Sequence, residues 1–371
     1  MALRTPLYER HVALGARMVD FGGWDMPQQY TSIKDEHLAV RKAAGLFDVS
    51  HMGRVEVHGP GVLDFISGLV TNDVAVEDGR AVYTLMCNEQ GGIIDDLIVY
   101  RVADDHFNIV VNASNREKDI AWMREHLPKG LTFEDLTTET SLIAFQGPRA
   151  AELLPVEGTT NDIAYFSFRH GKVAGQPALL ARTGYTGEDG FELFVGAAVV
   201  GEVWDAILEA GRPHGVLPAG LGARDACRLE AALRLWGNDM DETVNAYEAG
   251  LGWTVKLDKG EFIGRAALAK VKEERPRRRL IGLTLQPASI PRHGAAVIAA
   301  GKQVGTVTSG THSFFLGHPI ALALVEGPSF RVGDTLGVDV RGREAPAEIV
   351  KLPFYRGSAH THEVNTRSSN G

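Results

Sequence analysis

Between Tyr83 and Asn115 the chain reads YTLMCNEQGGIIDDLIVYRVADDHFNIVVNASN. Apolar or β-branched runs are separated there by Glu89-Gln90-Gly91-Gly92 and by Ala103-Asp104-Asp105. This pattern predicts three antiparallel strands folded back on one another. Side chains alternate across a strand, so the adjacent Asp95 and Asp96 point to opposite faces. Asp96 shares its face with Ile94, Ile98, Tyr100 and Val102; Asp95 shares the other with Ile93, Leu97, Val99 and Arg101. In a half-buried sheet at most one of the two acids reaches solvent, and the other needs a partner or a ligand. A second turn that sets Val102 against His106 also sets Asp96 against Asn112, whereas a one-residue slip pairs Asp96 with Ala113. Pattern alone leaves the register open, and a solvated strand face carrying two acids also satisfies it.

The flanking pattern mixes helices with strands. Thr5 to Pro27, with FGGWDMP, reads as a packed loop. Ser32 with Asp35 opens a helix expected to run to Gly45. Phe47 to Pro60 turns into a strand with Val55 and Val57 on one side, and Val62, Phe65, Ile66 and Leu69 form a helical stripe. Ser114 and Glu117 make a second capping box, for a helix carrying Ile120, Met123 and Leu127. Leu142–Gln146, Ala178–Arg182 and FELFV read as strands, Val199–Leu208 as an amphipathic helix, and Ala223–Leu235 as another. Strand and helix do not alternate strictly, so the fold class is α+β rather than a doubly wound sheet. Residues 1–270 then hold two α+β subdomains, one built around the 47–135 meander. Residues 271–279, KEERPRRR with Pro276, read as a solvated linker, with a docking patch as the alternative. Residues 280–357 carry six short strands with hairpin turns at 300–302 and 341–343, the pattern of a small all-β barrel. Residues 358–371 form a polar tail expected to be mobile.

Composition narrows the function classes. At 371 residues the chain is too long for one core, so two or three domains are expected. A net charge of −9 argues against nucleic acid as the main partner. Two distant cysteines, Cys87 and Cys227, fit a reducing cytoplasm rather than a disulfide framework. No run is apolar enough to span a bilayer and no signal peptide is evident, so a cytoplasmic protein is expected, with no membrane partner.

The segments LYERHVALGARMVDFGGWDMP, FDVSHMG, TNDV, GGIIDDLIVY, RTGYTGEDGFE, PAGLGARDACRLEA, EAGLGW, VTSG and PFY, in that order, resemble the aminomethyltransferase (T-protein) family of the glycine cleavage system. The resemblance spans Leu7 to Arg356. It implies a three-domain cloverleaf around a central folate channel, with the C-terminal barrel as the third domain. It also implies transfer of a methylene from an aminomethyl group on the lipoyl arm of a carrier, the H-protein, to tetrahydrofolate, with release of ammonia. Tetrahydrofolate is then a co-substrate, the carrier a transient partner, and no metal is required. By the same resemblance Asp96 is the acid beside the reacting nitrogens and Asn112 its polar neighbour. Tyr83 and Tyr100 wall the folate channel, Glu192 accepts from the pterin with Tyr185 alongside, Arg224 is a cationic folate contact, and Arg356 lies near the cofactor's glutamate end.

Several alternatives stay open at this level. Tyr100 and Trp253 also suit ordinary packing. Arg224 also suits a salt bridge to Asp225 or Glu230. Asp95 is expected to pair with Arg101 if it is structural, and Glu188 and Asp189 to be solvated or capping in their turn. THSFFLGHP replaces a less aromatic, Ser-Pro-containing loop of the family. His360 and His362 have ligand spacing but no fixed third ligand. A carrier of acidic character would need a local basic area, for which Arg275, Arg277, Arg278, Arg279 and Arg292 are the candidates. A folate-dependent demethylase and a folate-binding assembly or repair factor are the competing functions. The intact IDDL, the absence of a dinucleotide fingerprint and the RTGYTGEDGFE segment rank both below the transferase.

Overall fold

The computed structural model describes residues 2–327 and 330–359. Period-2 segments build two sheets that meet face to face, one antiparallel throughout and the other antiparallel apart from a short parallel edge strand. One has five strands, in the spatial order Arg80–Cys87, Ile93–Ala103, His106–Val111, Gly53–His58 and Thr132–Asp135. The other has six, in the order Phe168–Val173, Gln176–Ala181, Gly190–Gly196, Thr140–Gln146, Gly45–Asp48 and Leu217–Pro218. The meander expected from Tyr83 to Asn115 is present. Gly91 takes a φ of 83° in its first turn, and a Cβ on Gly92 would lie 1.8 Å from the Glu242 carbonyl oxygen. Only glycine lets the turn pack that closely on the distant 241–245 segment.

Each sheet buries its outer face under helices. The Val62–Leu69 and Arg116–Glu125 helices cover the five-stranded sheet through Phe65, Ile66, Leu69 and Met123. The Val200–Gly211 helix covers the six-stranded sheet through Val200, Val203, Trp204 and Ile207. The inner faces meet in a third core containing Phe47, Tyr100, Val110, Phe168 and Cys227. The strand bearing the two acids is therefore covered on both sides, by helices on one and by the second sheet on the other.

C-terminal strands close into a six-stranded barrel, Arg278–Leu285, Pro319–Glu326, Lys302–His312, Ala296–Ala299, Thr335–Val340 and Arg343–Val350. Its interior is filled by Val297, Val307, Ala323, Val325 and Val338. No helix among the described residues is long and apolar enough to cross a membrane.

Four local expectations are corrected. The 5–27 segment is not a loop: it forms the Tyr8–Ala13 helix and a three-stranded sheet of Leu3–Arg4, Trp24–Gln29 and Arg17–Phe21. The Ile33–Lys42 helix is capped by Ser32 as expected but ends at Ala43, before Gly45. The second capping box does not form, because the cap residue is Asn115 and its amide is used elsewhere. The 271–279 connection is short: the Arg265–Glu274 helix runs into it and the first barrel strand begins at Arg278.

Buried charge joins the parts. Arg41 reaches Glu188 at 2.9 Å and Glu230 at 2.7 Å, and Glu230 also meets His37 at 3.0 Å. Ser313 of the barrel donates to the same Glu230. Glu188 and Asp189 are thus not solvated: Glu188 is 3% exposed and Asp189 pairs with Arg182 at 2.7 Å. Breaking a buried pair leaves an uncompensated charge. Arg41→Met is expected to lower unfolding free energy by about 3–5 kcal/mol in urea titrations. A loss below about 1 kcal/mol would show that Glu188 and Glu230 find other partners.

Candidate active site

The register of the meander decides where the acids point. Ile98 pairs with Val110 and Tyr100 with Asn108, which carries Asp96 to the level of Asn112. The second turn reaches that register by a different route from the expected one. Ala103, not Val102, opposes His106, and an irregularity between Arg101 and Ala103 absorbs the extra residue.

Asp95 faces the helices and is 0% exposed. It does not pair with Arg101, which binds Asp78 and Asp104 instead. Its oxygens accept from the Asn112 backbone N–H at 3.0 Å, from Asn112 Nδ2 at 2.8 Å and from Asn115 Nδ2 at 2.7 Å. Asp96 faces the other sheet and is half-buried. Its Oδ2 accepts the Tyr83 hydroxyl at 3.0 Å and its Oδ1 accepts Asn112 Nδ2 at 2.9 Å. Burial, and then the charge of Asp95, push the Asp96 carboxyl up to about 7 against the pull of these two donors. Burial and the adjacent Asp96 raise the Tyr83 phenol well above its usual range, so it stays a donor.

Across the cleft, Arg224 lies over the Tyr185 ring at 4.6 Å. It forms neither alternative salt bridge, since Asp225 pairs with Arg228 at 2.7 Å and Glu230 with Arg41. Among the described residues its guanidinium has no hydrogen-bonded partner, and burial lowers its pKa. Tyr185 donates its hydroxyl to the Arg234 carbonyl and lies within electrostatic reach of Asp96. Glu192 accepts from Thr183 Oγ1 at 2.6 Å, and burial raises its carboxyl despite that bond and nearby Arg224. Tyr100 is 1% exposed, edge-on to Phe168 and Phe194, with its hydroxyl 3.5 Å from Thr183. It forms the packed floor under Glu192 rather than an open wall.

The fold thus gathers Asp96, Asn112, Tyr83, Tyr185, Arg224, Glu192 and Tyr100 where the two sheets meet. Arg356 is exposed and follows Tyr355, whose ring packs under Arg41 at 4.4 Å. Trp253 is not core: it is 59% exposed and stacks on Tyr83 with centroids 5.9 Å apart. His360 and His362 lie outside the described residues. Glu56, His58 and Glu134 place three ligand-type atoms within 4.8 Å of one another, and none belongs to this group. Sequence reasoning gave no role to Thr183, to Asn115 or to His51. The His51 imidazole is buried near Arg224 and held neutral by burial and that charge. Asn115 is legible as a polar residue before a helix, but its use on Asp95 needs the register.

Two facing sheets, an attached barrel and a site that sets the raised Asp96 carboxyl near Tyr185 and Arg224 define an α+β protein with a buried polar site. Residues 7–259 match the GCVT N-terminal domain and residues 278–356 the glycine cleavage T-protein C-terminal barrel domain. The chain belongs to the glycine cleavage T-protein family. It is 53% identical over 361 residues to the aminomethyltransferase of Thermotoga petrophila, covering 96% of this chain and 98% of that one. It is 49% identical over 362 residues to that of Geobacillus kaustophilus, covering 96% and 99%. The crystal structure of glycine cleavage system aminomethyltransferase T from Bartonella henselae superposes with a TM-score of 0.90 at 32% identity, covering 96% of this chain and 99% of that one.

The raised carboxyl has a stability consequence. A carboxyl whose folded pKa lies above its unfolded value of about 4 loses stability as pH rises between the two. Asp96→Asn removes that loss. The variant is expected to match the parent below about pH 4 and to become the more stable of the two as pH rises through about 7. Urea unfolding at a series of pH values reads the difference, and a pH-independent offset would place Asp96 in a water-like setting.

Proposed function

We propose that this chain is the tetrahydrofolate-dependent aminomethyltransferase of a glycine cleavage system. It moves the methylene of an S-aminomethyl-dihydrolipoyl carrier to tetrahydrofolate, releasing ammonia and leaving 5,10-methylenetetrahydrofolate and the dihydrolipoyl carrier. The observation that carries this reading is Asp96, held between Tyr83 and Asn112, with Arg224 on the facing side stacked on Tyr185 and without a hydrogen-bonded side-chain partner among the described residues.

The residues fit such a ligand. Tetrahydrofolate supplies the nucleophilic nitrogen, so no protein nucleophile is needed. Glu192 takes the hydroxyl donors of Thr183 and Tyr100 and, with two oxygens, retains acceptor capacity for the paired N–H edge of an aminopyrimidinone. Arg224 offers donors to ligand oxygens, and Tyr83 with exposed Trp253 presents aromatic surface at the cleft. Asp96 acts at its carboxylate oxygens. A carboxyl near about 7 is half ionised at neutral pH, so it can take a proton from an attacking or leaving nitrogen. Its ionised form also stabilises cationic character at the methylene. An Asp near its usual pKa would be confined to the second role.

Carrier docking is assigned to exposed cations. Arg275, Arg277 and Arg292 are exposed. Arg278 is engaged by Glu248 at 3.0 Å and by the Thr243 carbonyl, which removes it from the expected patch.

Ammonia release with a lipoylated carrier, with and without tetrahydrofolate, tests the function directly. Release that ignores tetrahydrofolate, or folate-dependent demethylation of a small amine instead, overturns it. Asp96→Asn should lower kcat by about 10²–10³ with little change in folate affinity. Glu192→Gln should weaken folate binding by roughly tenfold through unpaired donors, read by calorimetry. Equal effects of both variants on binding would dissolve the division of roles.

Reversing Arg275, Arg277 and Arg292 to Glu should raise the KM for the carrier. The increase should shrink with added salt, because exposed charges are screened over about 10 Å at 0.1 M. Folate affinity should hold, and unchanged carrier kinetics at low salt would move the docking surface elsewhere.

A further inference from the structure

Behind the acid pair lies a third carboxyl that the reaction above does not use. Asp119 sits in the first turn of the Arg116–Glu125 helix and is 0% exposed. Neither of its oxygens receives a hydrogen bond from a described donor. Its hydrogen-bonding neighbour is Asp95, also 0% exposed. Two carboxyl groups buried in contact do not both ionise.

The geometry decides which one carries the proton. Three N–H donors face Asp95, from Asn112 and Asn115, and none faces Asp119. Donors favour the ionised form of the group they face, and a buried acid without donors keeps its proton. Burial, and then the charge of Asp95, push Asp119 up to about 11. The opposing charge, Lys118, is engaged with the Ile94 carbonyl at 2.9 Å and with Glu242 at 3.0 Å.

From Asp95 the contacts continue into the cleft. A single amide nitrogen, Asn112 Nδ2, donates to Asp95 Oδ1 at 2.8 Å and to Asp96 Oδ1 at 2.9 Å. We propose that Asp119 is a positioning residue for the transfer reaction. As a neutral carboxylic acid it donates its O–H to Asp95, which fixes the Asn112 amide and, through it, the orientation of Asp96. This rests on the assignment of Asp96 made above. The titratable groups facing Asp96 are Asp95 on its own strand, Tyr83 on the neighbouring strand and Tyr185 across the cleft, with Asp119 behind it on the helix. Arg234 faces Tyr83.

Two variants separate the proposal from a merely structural role. Asp119→Asn keeps a neutral donor, so kcat and the acid limb of its pH profile should stay where they are. Asp119→Ala removes the donor. Its kcat should fall by about ten- to a hundredfold through loss of alignment, with KM for tetrahydrofolate little changed. Its acid limb should move to higher pH, because a loosened Asn112 no longer favours ionised Asp96. If native Asp119 were ionised, Asp119→Asn would delete a negative charge and move the limb to lower pH, which would overturn the proposal. So would an Asp119→Ala enzyme with unchanged kcat and limb.

Two readouts stand without turnover. The infrared difference spectrum of the parent against Asp119→Asn should show a protonated-carboxyl C=O stretch that persists well above neutral pH. The Asn112 side-chain ¹⁵N resonance should move in Asp119→Ala and not in Asp119→Asn. Absence of the stretch, or an unmoved Asn112 resonance in Asp119→Ala, refutes the relay even if the enzyme acts on another substrate.

Discussion

The cleft depends on one geometric constraint: consecutive residues of a strand point to opposite faces, and this strand is covered on both. Asp95 is driven among helices and Asp96 toward the second sheet. Asp95, fully buried, depends entirely on protein donors, and half-buried Asp96 draws its own from the neighbouring strands. Asn112 serves both because the register sets it beside the pair, and Asn115 serves Asp95 because the helix begins there. Placing a fixed negative charge behind Asp96 then makes its own ionisation harder, which is what brings it toward neutrality.

That arrangement requires the two sheets to stay in contact. The Arg41–Glu188–Glu230 cluster, with His37 and Ser313, ties a helix, the Gly-rich turn and the barrel in one buried network. Arg228 adds a second tie, to Asp239 at 2.6 Å and to Ser309 of the barrel at 2.8 Å. The barrel is therefore fastened to the cleft-bearing part by hydrogen-bonded charge as well as by apolar contact. Such pairs tolerate little change in geometry, since a misplaced partner leaves a charge in a low-dielectric interior.

Much of this was legible in the chain itself. Period-2 runs with Gly-rich turns located the meander and the barrel, and the adjacent acids marked the strand as unusual. What was not legible lies in how surfaces are covered. Alternation says that Asp95 and Asp96 diverge, but not that a second sheet lies over Asp96. Glu188 and Asp189 look like turn acids because their partners Arg41 and Arg182 are brought to them by tertiary contact. The 5–27 segment hid its strands because its sheet is short and broken by Gly22 and Gly23, both with positive φ. Trp253 read equally as core or ligand surface until the fold left it exposed on Tyr83. Resemblance named residues that the fold brings to one place, but it did not show that Tyr100 is packed at 1% exposure against Phe168 and Phe194.

The distribution of charge in the cleft follows from the same economy of partners. Three guanidiniums surround it, in a chain of net charge −9. Arg228 is neutralised by Asp225 and Asp239, and Arg234 donates to the Ala249 carbonyl. Arg224 is left over a phenol ring, with burial working against its charge. Burial likewise works against ionisation of Asp96 and Glu192. Holding two carboxyls and a guanidinium in a partly buried site carries a desolvation cost that their protein hydrogen bonds only partly offset. Under the proposed function, that burial cost would be relieved by a ligand supplying donors to Glu192, acceptors to Arg224 and positive charge beside Asp96. Under the proposed function, one ligand pair supplies all three at once: a pterin edge, its ring oxygen and an aminomethyl nitrogen. On that reading, a ligand with only one of these features would bury the remaining groups without relieving them, so the site would select by what it leaves unpaired as much as by what it contacts.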